Sequence, residues 1–429
     1  MKSRIKDIRL AYADGSGAVW DFPGIEPAFR TGNRFVRVDP DELIELPYGS
    51  VLFSLPKRHP VFYNPRNNDF NHIEVSPDGD EIAAVSAFPA SAYLRTYLPA
   101  FIRRDDAPVL PLWAYTGVIV MDGGFRIPAL RIDDDVRSDP ALHENDAELE
   151  KGIATLTDAY PENGLVKQLE KCSTVYRCLC ARNFFRGRFE APIPTTPACN
   201  AACAGCLSFQ KSDASFAASQ DRLDFNPSVR EISAVILHHL TTADNAVASF
   251  GQGCEGEPLL RARDLAAAIS LVRETTDSGT INLNTNGSLP EGIKALIRAG
   301  LDSVRISLNS PTREYYDRYY RPLGYRFDDV LHSIDAALSA GIFVSINLFF
   351  LPGFTDMETE VEELVRFLQR FPVSMIQTRN LNIDPDFYFD RIGFRESEPI
   401  GVLNLVKLLK KEFPAMRLGY YNPPVKEKK

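Results

Sequence analysis

The rhythm of apolar and polar positions changes near residue 150. Before it, short apolar stretches are broken by Pro and Gly: Gly17–Phe22, Arg34–Val38, Ser50–Leu55, Val61–Tyr63 and Gly117–Met121. Runs of this length between turn residues predict short strands, with turns at Pro77-Asp78-Gly79 and Asp122-Gly123-Gly124. Val85–Leu98 carries a helical pattern, interrupted by Pro89. Residues 1–135 therefore read as a β-rich domain. The acidic stretch Asp133–Glu150 reads as a solvated linker running into a helix, so 136–187 is taken as an acidic linker and a cysteine-containing segment.

From residue 188 strand and helix patterns alternate. Candidate strands are Arg188–Ile193, Val247–Phe250, Thr280–Asn284, Ser303–Leu308, Phe343–Phe350 and Ser374–Arg379. Helical patterns fall at Ser228–Leu240, Leu259–Thr276, Pro290–Ala299, Phe327–Ala340 and Met357–Phe371, with Gly300 and Gly341 marking two of their ends. Apolar strands alternating with helices predict an α/β fold, a parallel sheet covered by helices. Six strands give an open doubly wound sheet or a partial barrel, with the chemistry at the C-terminal strand ends. Residues 386–429 read as a C-terminal helix and polar tail.

Composition narrows the class. The 429 residues favour two domains. A content of 45% apolar and 24% charged residues is that of a globular protein with a sizeable core. A net charge of −9 argues against general nucleic-acid binding. No apolar run is long enough to span a membrane. Met1-Lys2-Ser3-Arg4-Ile5-Lys6-Asp7 lacks the apolar segment of a secretory signal. A cytoplasmic location is expected, where clustered cysteines hold metal more often than disulfides.

Six of the seven cysteines lie between 172 and 206. The central motif is Cys199-Asn200-Ala201-Ala202-Cys203-Ala204-Gly205-Cys206, after Pro192, Pro194 and Pro197, which extend the chain beyond the first strand. A C-x3-C-x2-C loop supplies three thiolates to a four-iron cube and leaves one iron open, since full thiolate ligation takes four cysteines. Structural zinc, the competing reading, takes four protein ligands.

Further segments follow in order: Gly251-Gln252-Gly253-Cys254-Glu255-Gly256-Glu257-Pro258, Leu283-Asn284-Thr285-Asn286-Gly287, Val304-Arg305-Ile306-Ser307-Leu308-Asn309 and Val344-Ser345-Ile346-Asn347-Leu348. With the cysteine loop these resemble the radical S-adenosylmethionine (radical SAM) superfamily over residues 188–385. The style is closest to the branch of the molybdenum-cofactor synthase and the peptide maturases. The resemblance implies a partial (β/α)6 barrel with an N-terminal β-rich domain. It also implies a [4Fe-4S] cluster on Cys199, Cys203 and Cys206, with S-adenosylmethionine chelated at the open iron and cleaved to a 5′-deoxyadenosyl radical. Gly256, Glu257, Thr285, Asn286, Ser307 and Asn347 fall at the family's cofactor contacts. Two departures stand out. Glu255 replaces the first glycine of the family's Gly-Gly-Glu-Pro segment, and Gly205 replaces the aromatic residue beside adenine, a place Phe209 could fill. A reductant such as flavodoxin or ferredoxin is implied as partner. The substrate is an unidentified peptide or small molecule.

Cys172, Cys178, Cys180 and Cys254 remain. Four is the number a fully ligated auxiliary [4Fe-4S] cluster needs; four-cysteine zinc and buried thiols are the alternatives. Four tyrosines and three arginines in Arg313–Arg321 read first as amphipathic cover and second as a substrate clamp. His59, His72 and His143 have no visible metal partners. The contrasting function is a non-catalytic iron–sulfur or zinc protein that transfers electrons or binds a partner.

Overall fold

The computed structural model describes residues 7–426. The charged segment 1–6 and the last three tail positions lie outside the described residues.

The N-terminal region is antiparallel. Ile8–Ala13 pairs with Val19–Phe22 along one edge and, along the other, with Ile119–Met121 and then Ala83–Phe88, which in turn pairs with Val51–Leu55. Ile119–Met121 and Gly124–Arg131 form a hairpin. Its turn residues Asp122 and Gly123 both have positive φ, 52° and 82°, the turn hand that matches strand twist. Val85–Leu98, predicted helical, is instead extended: Tyr93–Arg95 pairs with Gly124–Arg131, and Leu98–Pro99 pairs with Phe29–Thr31. Pro89 has no amide to give a helix, and Ala92 at φ 68° would break one. Cross-strand partners decide this segment.

Three helices follow, α1 (Asp146–Ala159), α2 (Gly164–Thr174) and α3 (Leu179–Phe185). Asn145 and Asn163 cap the first two by accepting from free amides of the opening turn.

The rest is an α/β half-barrel. Its strands are β1 (Glu190–Pro192), β2 (Val247–Phe250), β3 (Thr280–Thr285), β4 (Ser303–Leu308), β5 (Phe343–Phe350), β6 (Met375–Asn380) and β7 (Arg417–Gly419). They lie in chain order, every neighbouring pair parallel. The covering helices are α4 (Val229–Thr242), α5 (Ala262–Arg273), α6 (Pro290–Ala299), α7 (Arg313–Tyr320), α8 (Phe327–Ser339), α9 (Glu358–Arg370), α10 (Pro385–Ile392) and α11 (Val402–Glu412). Apolar strand residues such as Ile281, Leu283, Val304 and Ile306 join the helices in one core. Among the described residues no helix is long and apolar enough to cross a membrane.

The tail departs from its reading as one helix and a polar end. It holds two helices and the seventh strand. Beyond β7, Asn422 enters the lumen of the sheet: its Nδ2 donates to Glu190 Oε1 at 2.6 Å, and its Oδ1 accepts from Gln377 Nε2 at 2.6 Å. The polar faces of β2 to β4 extend this network through Ser249, Asn282, Asn284 and Ser303.

The N-terminal region docks on the C-terminal ends of β5 and β6. Arg95 donates to the Leu381 carbonyl at 2.8 Å, and Asn380 Nδ2 donates to the Tyr93 carbonyl at 2.8 Å. Arg58 and Asp384 form a fully buried ion pair at 3.0 Å. This contact places one wall of the N-terminal region over the strand ends, where loops gather.

Candidate active site

Beyond β1 the chain runs extended into residues 199–206, and three sets of hydrogen bonds hold that loop. Ala202 and Ala204 donate to the carbonyls of Tyr320 and Tyr319 at 3.0 and 2.9 Å, so the loop lies along the end of α7. Gly256 N donates to Thr196 O at 2.7 Å and Glu257 N to Ala198 O at 2.8 Å. Asn286 Nδ2 donates to Asn200 Oδ1 at 2.9 Å, and Asn200 Nδ2 to Ser288 Oγ at 2.9 Å. The cysteine loop is thus tied to α7 and to the ends of β2 and β3.

The Gly-rich segment after β2 explains two of its own residues. A Cβ on Gly256 would lie 1.9 Å from the Ala198 carbonyl oxygen, so only glycine lets the two loops meet. Glu255, in the cavity wall, spends its carboxylate on neighbouring backbone and a hydroxyl. It accepts from Thr195 N and Oγ1 at 2.7 Å each and from Gly251 N at 2.6 Å, bracing the loop. Glu257 reaches across to the end of β3. It accepts from Thr285 Oγ1 at 2.5 Å, Leu259 N at 3.0 Å and Asn286 N at 2.9 Å. Oε2, with one of these bonds, keeps acceptor capacity. Burial raises the pKa of both glutamates to about 7.

Cys199, Cys203 and Cys206 line one cavity of about 200 Å³ with Gly256, Glu257, Thr285, Asn286 and Ser307. Arg222 Nη2 donates to Cys206 Sγ at 3.3 Å. Burial raises the Cys199 thiol to about 11 and the Cys203 thiol well above its ordinary value, with neighbouring thiols adding to both. Among the described residues no three His, Cys, Asp or Glu side chains stand close enough to share one metal ion. A four-iron cube takes each thiolate on a different iron, so its ligands line a space rather than meet at a point. Tyr320 Oη, buried without a partner, also lines this cavity. A thiol-lined cavity at the strand ends, with unspent polar groups, fits an iron–sulfur cluster with a polar ligand beside it.

A second cavity, about 350 Å³, adjoins the first across Gly205, Gly251, Ser307, Tyr319 and Phe349. Asn347 lines this one, its Oδ1 buried without a partner. Of the six residues matched to cofactor contacts, five therefore share the cysteine cavity, and Asn347 lies next door.

No aromatic side chain could stand at Gly205 unless Tyr319 moved, because even a Cβ there would meet Tyr319 Oη at 2.9 Å. Tyr319, from α7, supplies the ring beside the loop. Phe209 is 56% exposed and lines neither cavity. Tyr315, Tyr316, Tyr319 and Tyr320 are buried, while Arg313 pairs with Asp328 and Arg318 with Glu314. That segment is packed cover, except where Tyr319 and Tyr320 reach the cavity.

Cys172, Cys178 and Cys254 pack together with Ala181 and Tyr176. The Cys254 thiol beside Cys172 holds the Cys172 pKa below its ordinary value, and that neighbour and burial push the Cys254 thiol up. Cys180 donates to the Glu190 carbonyl at 3.3 Å and feels the charge of Cys178. Three of the four cysteines outside the loop, Cys172, Cys178 and Cys254, therefore pack together where α2, α3 and the β2 loop converge, while Cys180 bonds to the Glu190 carbonyl. His59 contacts the Ile82 carbonyl at 3.3 Å, and His72 contacts Glu74 at 3.0 Å.

Asn200 and Arg222 are site residues that the sequence did not single out, and Tyr319 was singled out only as one of the tyrosines of Arg313–Arg321. Of the first two, Asn200 alone carried a signal, its place inside the cysteine motif.

Residues 193–368 match the model of the radical SAM superfamily, and this stretch is a radical SAM domain. A probable GTP 3′,8-cyclase of Methanocella arvoryzae is 36% identical over 120 residues, 28% of this chain and 37% of the relative. The GTP 3′,8-cyclase of Chlorobaculum tepidum is 30% identical over 190 residues, 42% of this chain and 53% of the relative. The chain spans about a third of the length of the first such relatives. Among solved structures, the FeFe-hydrogenase maturase HydG of Carboxydothermus hydrogenoformans aligns with a TM-score of 0.38 at 14% identity, covering 63% of this chain and 69% of that one.

Proposed function

We propose that this chain, through its radical SAM domain, is an enzyme that holds a [4Fe-4S] cluster on Cys199, Cys203 and Cys206 and S-adenosylmethionine beside it. The observation that carries this reading is the shared cavity: three thiols from one loop face Glu257, Thr285, Asn286 and Ser307 from three successive strand ends. When bound, the cluster supplies the electron that cleaves S-adenosylmethionine to a 5′-deoxyadenosyl radical, which abstracts hydrogen from substrate.

The residues of the chain have separate tasks. Glu257 offers Oε2 to the methionine ammonium while Thr285 and Asn286 fix its carboxylate. Asn286, bonded to Asn200, sets the cysteine loop against β3. Arg222 holds Cys206 and partly neutralises a thiolate there. Tyr319 gives adenine a ring at the position Gly205 leaves open. Ser307 and Asn347 face the ribose from β4 and β5. Water is excluded by the N-terminal wall over β5 and β6.

Cys172, Cys178, Cys180 and Cys254 hold a second [4Fe-4S] cluster in this reading; the packing of Cys172, Cys178 and Cys254 beside the β2 loop supports it. An external reductant such as flavodoxin or ferredoxin supplies the electron, and the enzyme works in the cytoplasm. A substrate like that in the name of the GTP 3′,8-cyclases is one candidate, and a peptide is the other. The test is 5′-deoxyadenosine formation by anaerobically reconstituted, reduced protein, against a Cys203→Ala variant.

A further inference from the structure

The second cavity carries two arginines in its wall. Arg305 reaches it from β4 and Arg379 from β6. Neither has an ion pair with a described carboxylate. Arg379 lies with its guanidinium carbon 3.6 Å from the centre of the Tyr420 ring, which holds the group flat without neutralising it. Arg305 Nη1 donates to Gln377 Oε1 at 2.9 Å, and its Nε is buried with no partner. Gln377 hands that contact on to Asn422, which donates to Glu190 as Gln252 of the cavity wall also does, so the Glu190 carboxylate bears on Arg305 without pairing with it. Asn347, Asn380, Asn382 and Gln252 add amide groups to the wall, and Asn347 Oδ1 has no partner.

We propose that this cavity binds a small substrate through an oxyanion, phosphate or carboxylate, clamped between Arg305 and Arg379. Two guanidinium groups facing one polar cavity repel each other, and each presents paired donors that match an oxyanion. The pKa of Arg305 is lowered to about 10, by burial first and by the charge of Arg379 second. An anion between the two relieves both effects. The same cavity opens on the cysteine cavity across Ser307 and Phe349, which brings a bound molecule to the side where hydrogen abstraction would occur. Phe88, Pro89, Ala90 and Ala114 of the N-terminal region form the opposite wall. That region thus closes over a small molecule of limited volume rather than presenting an edge to a peptide. Calling the ligand a substrate rests on the functional reading above; the anion site does not.

The test is calorimetric titration of cluster-loaded protein at fixed ionic strength, in the presence of saturating S-adenosylmethionine. Inorganic phosphate is the probe in one arm and succinate in the other. Saturable binding of at least one is expected, with the tighter arm identifying the oxyanion. Arg379→Gln and Arg305→Gln are each expected to weaken it about tenfold or more. Arg379 sits on the cavity wall outside the Gln377–Asn422 network, so its variant keeps the test valid if Arg305→Gln fails to fold. Unchanged affinity in Arg379→Gln, or no saturable binding of either probe, overturns the proposal. So does competitive displacement of the probe by S-adenosylmethionine, which would make the arginines part of the cofactor site. The titration needs no turnover. Wild-type protein that makes 5′-deoxyadenosine yet binds neither anion loses this inference alone, and protein that binds anions yet makes none loses the functional reading alone.

Discussion

Asn286 Nδ2 donates to Asn200 Oδ1 at 2.9 Å, joining the end of β3 to the second residue of the cysteine motif. The bond is partly buried, and Asn200 passes the contact on to Ser288. Removing it with Asn286→Ala leaves Asn200 half-satisfied at a cost of about 1–2 kcal/mol. The loss should fall on the loop. Iron retained after anaerobic gel filtration is expected to drop below that of the wild type, while the far-UV circular dichroism spectrum stays the same.

Gly256 and Gly205 make a matched pair of substitutions. At Gly256 an added Cβ strikes backbone, the Ala198 carbonyl at 1.9 Å; at Gly205 it meets a tyrosine hydroxyl at 2.9 Å. Backbone of a pinned loop moves less readily than a side-chain tip. Gly256→Ala is therefore expected to destabilise by about 1–3 kcal/mol, the usual range for overpacking. Urea unfolding checks it, with Gly205→Ala expected to be the milder of the two.

Asn422 offers a test of the lumen network. It is 3% exposed and donates to Glu190 and accepts from Gln377. Asn422→Ala leaves a buried carboxylate oxygen and a buried amide short of partners, worth about 2–4 kcal/mol together. The midpoint of thermal unfolding should fall by several degrees. An unchanged midpoint would mean that water replaces the amide.

His239 carries a pH signature. It is fully buried, its Nε2 contacts the Phe189 carbonyl at 3.0 Å, and burial lowers its pKa to about 4. The unfolded chain, with an ordinary value of 6.5, binds more protons between those limits. Stability from this group is complete above about pH 6.5 and is lost as pH falls toward 4, at up to about 1.4 kcal/mol per unit. Glu257 and Asp356, raised by burial to about 7 and about 6, act in the opposite sense. The informative quantity is thus the difference between wild type and His239→Gln in urea unfolding from pH 4.5 to 7.5. That difference should shrink as the pH falls.

The barrel was legible because its signals are local and redundant. Each of the six strands read from sequence is four to eight residues ahead of a helical pattern, and a helix such as α4 announces its start with Ser228 and Glu231. The seventh strand was not legible. Arg417–Gly419 is three residues long and becomes a strand only because β6 is there to pair with it. Val85–Leu98 failed for the same reason in reverse: its helical spacing was real, but three neighbouring strands offered it better partners. At the site, the cysteines could be read from spacing, and Glu257 from the likeness of its segment to the family's Gly-Gly-Glu-Pro. Tyr319 and Asn422 could not, because what matters about them is which distant loop they touch. Glu255 looked like a lost glycine, and its role appears only once Thr195 and Gly251 are seen around its carboxylate.

The most direct measurement is anaerobic incubation of reduced, cluster-reconstituted protein with S-adenosylmethionine, with 5′-deoxyadenosine quantified by chromatography. Formation well above that of the Cys203→Ala variant is the expected result. No 5′-deoxyadenosine beyond that control, with several reductants and with cell extract as a source of substrate, would contradict the account.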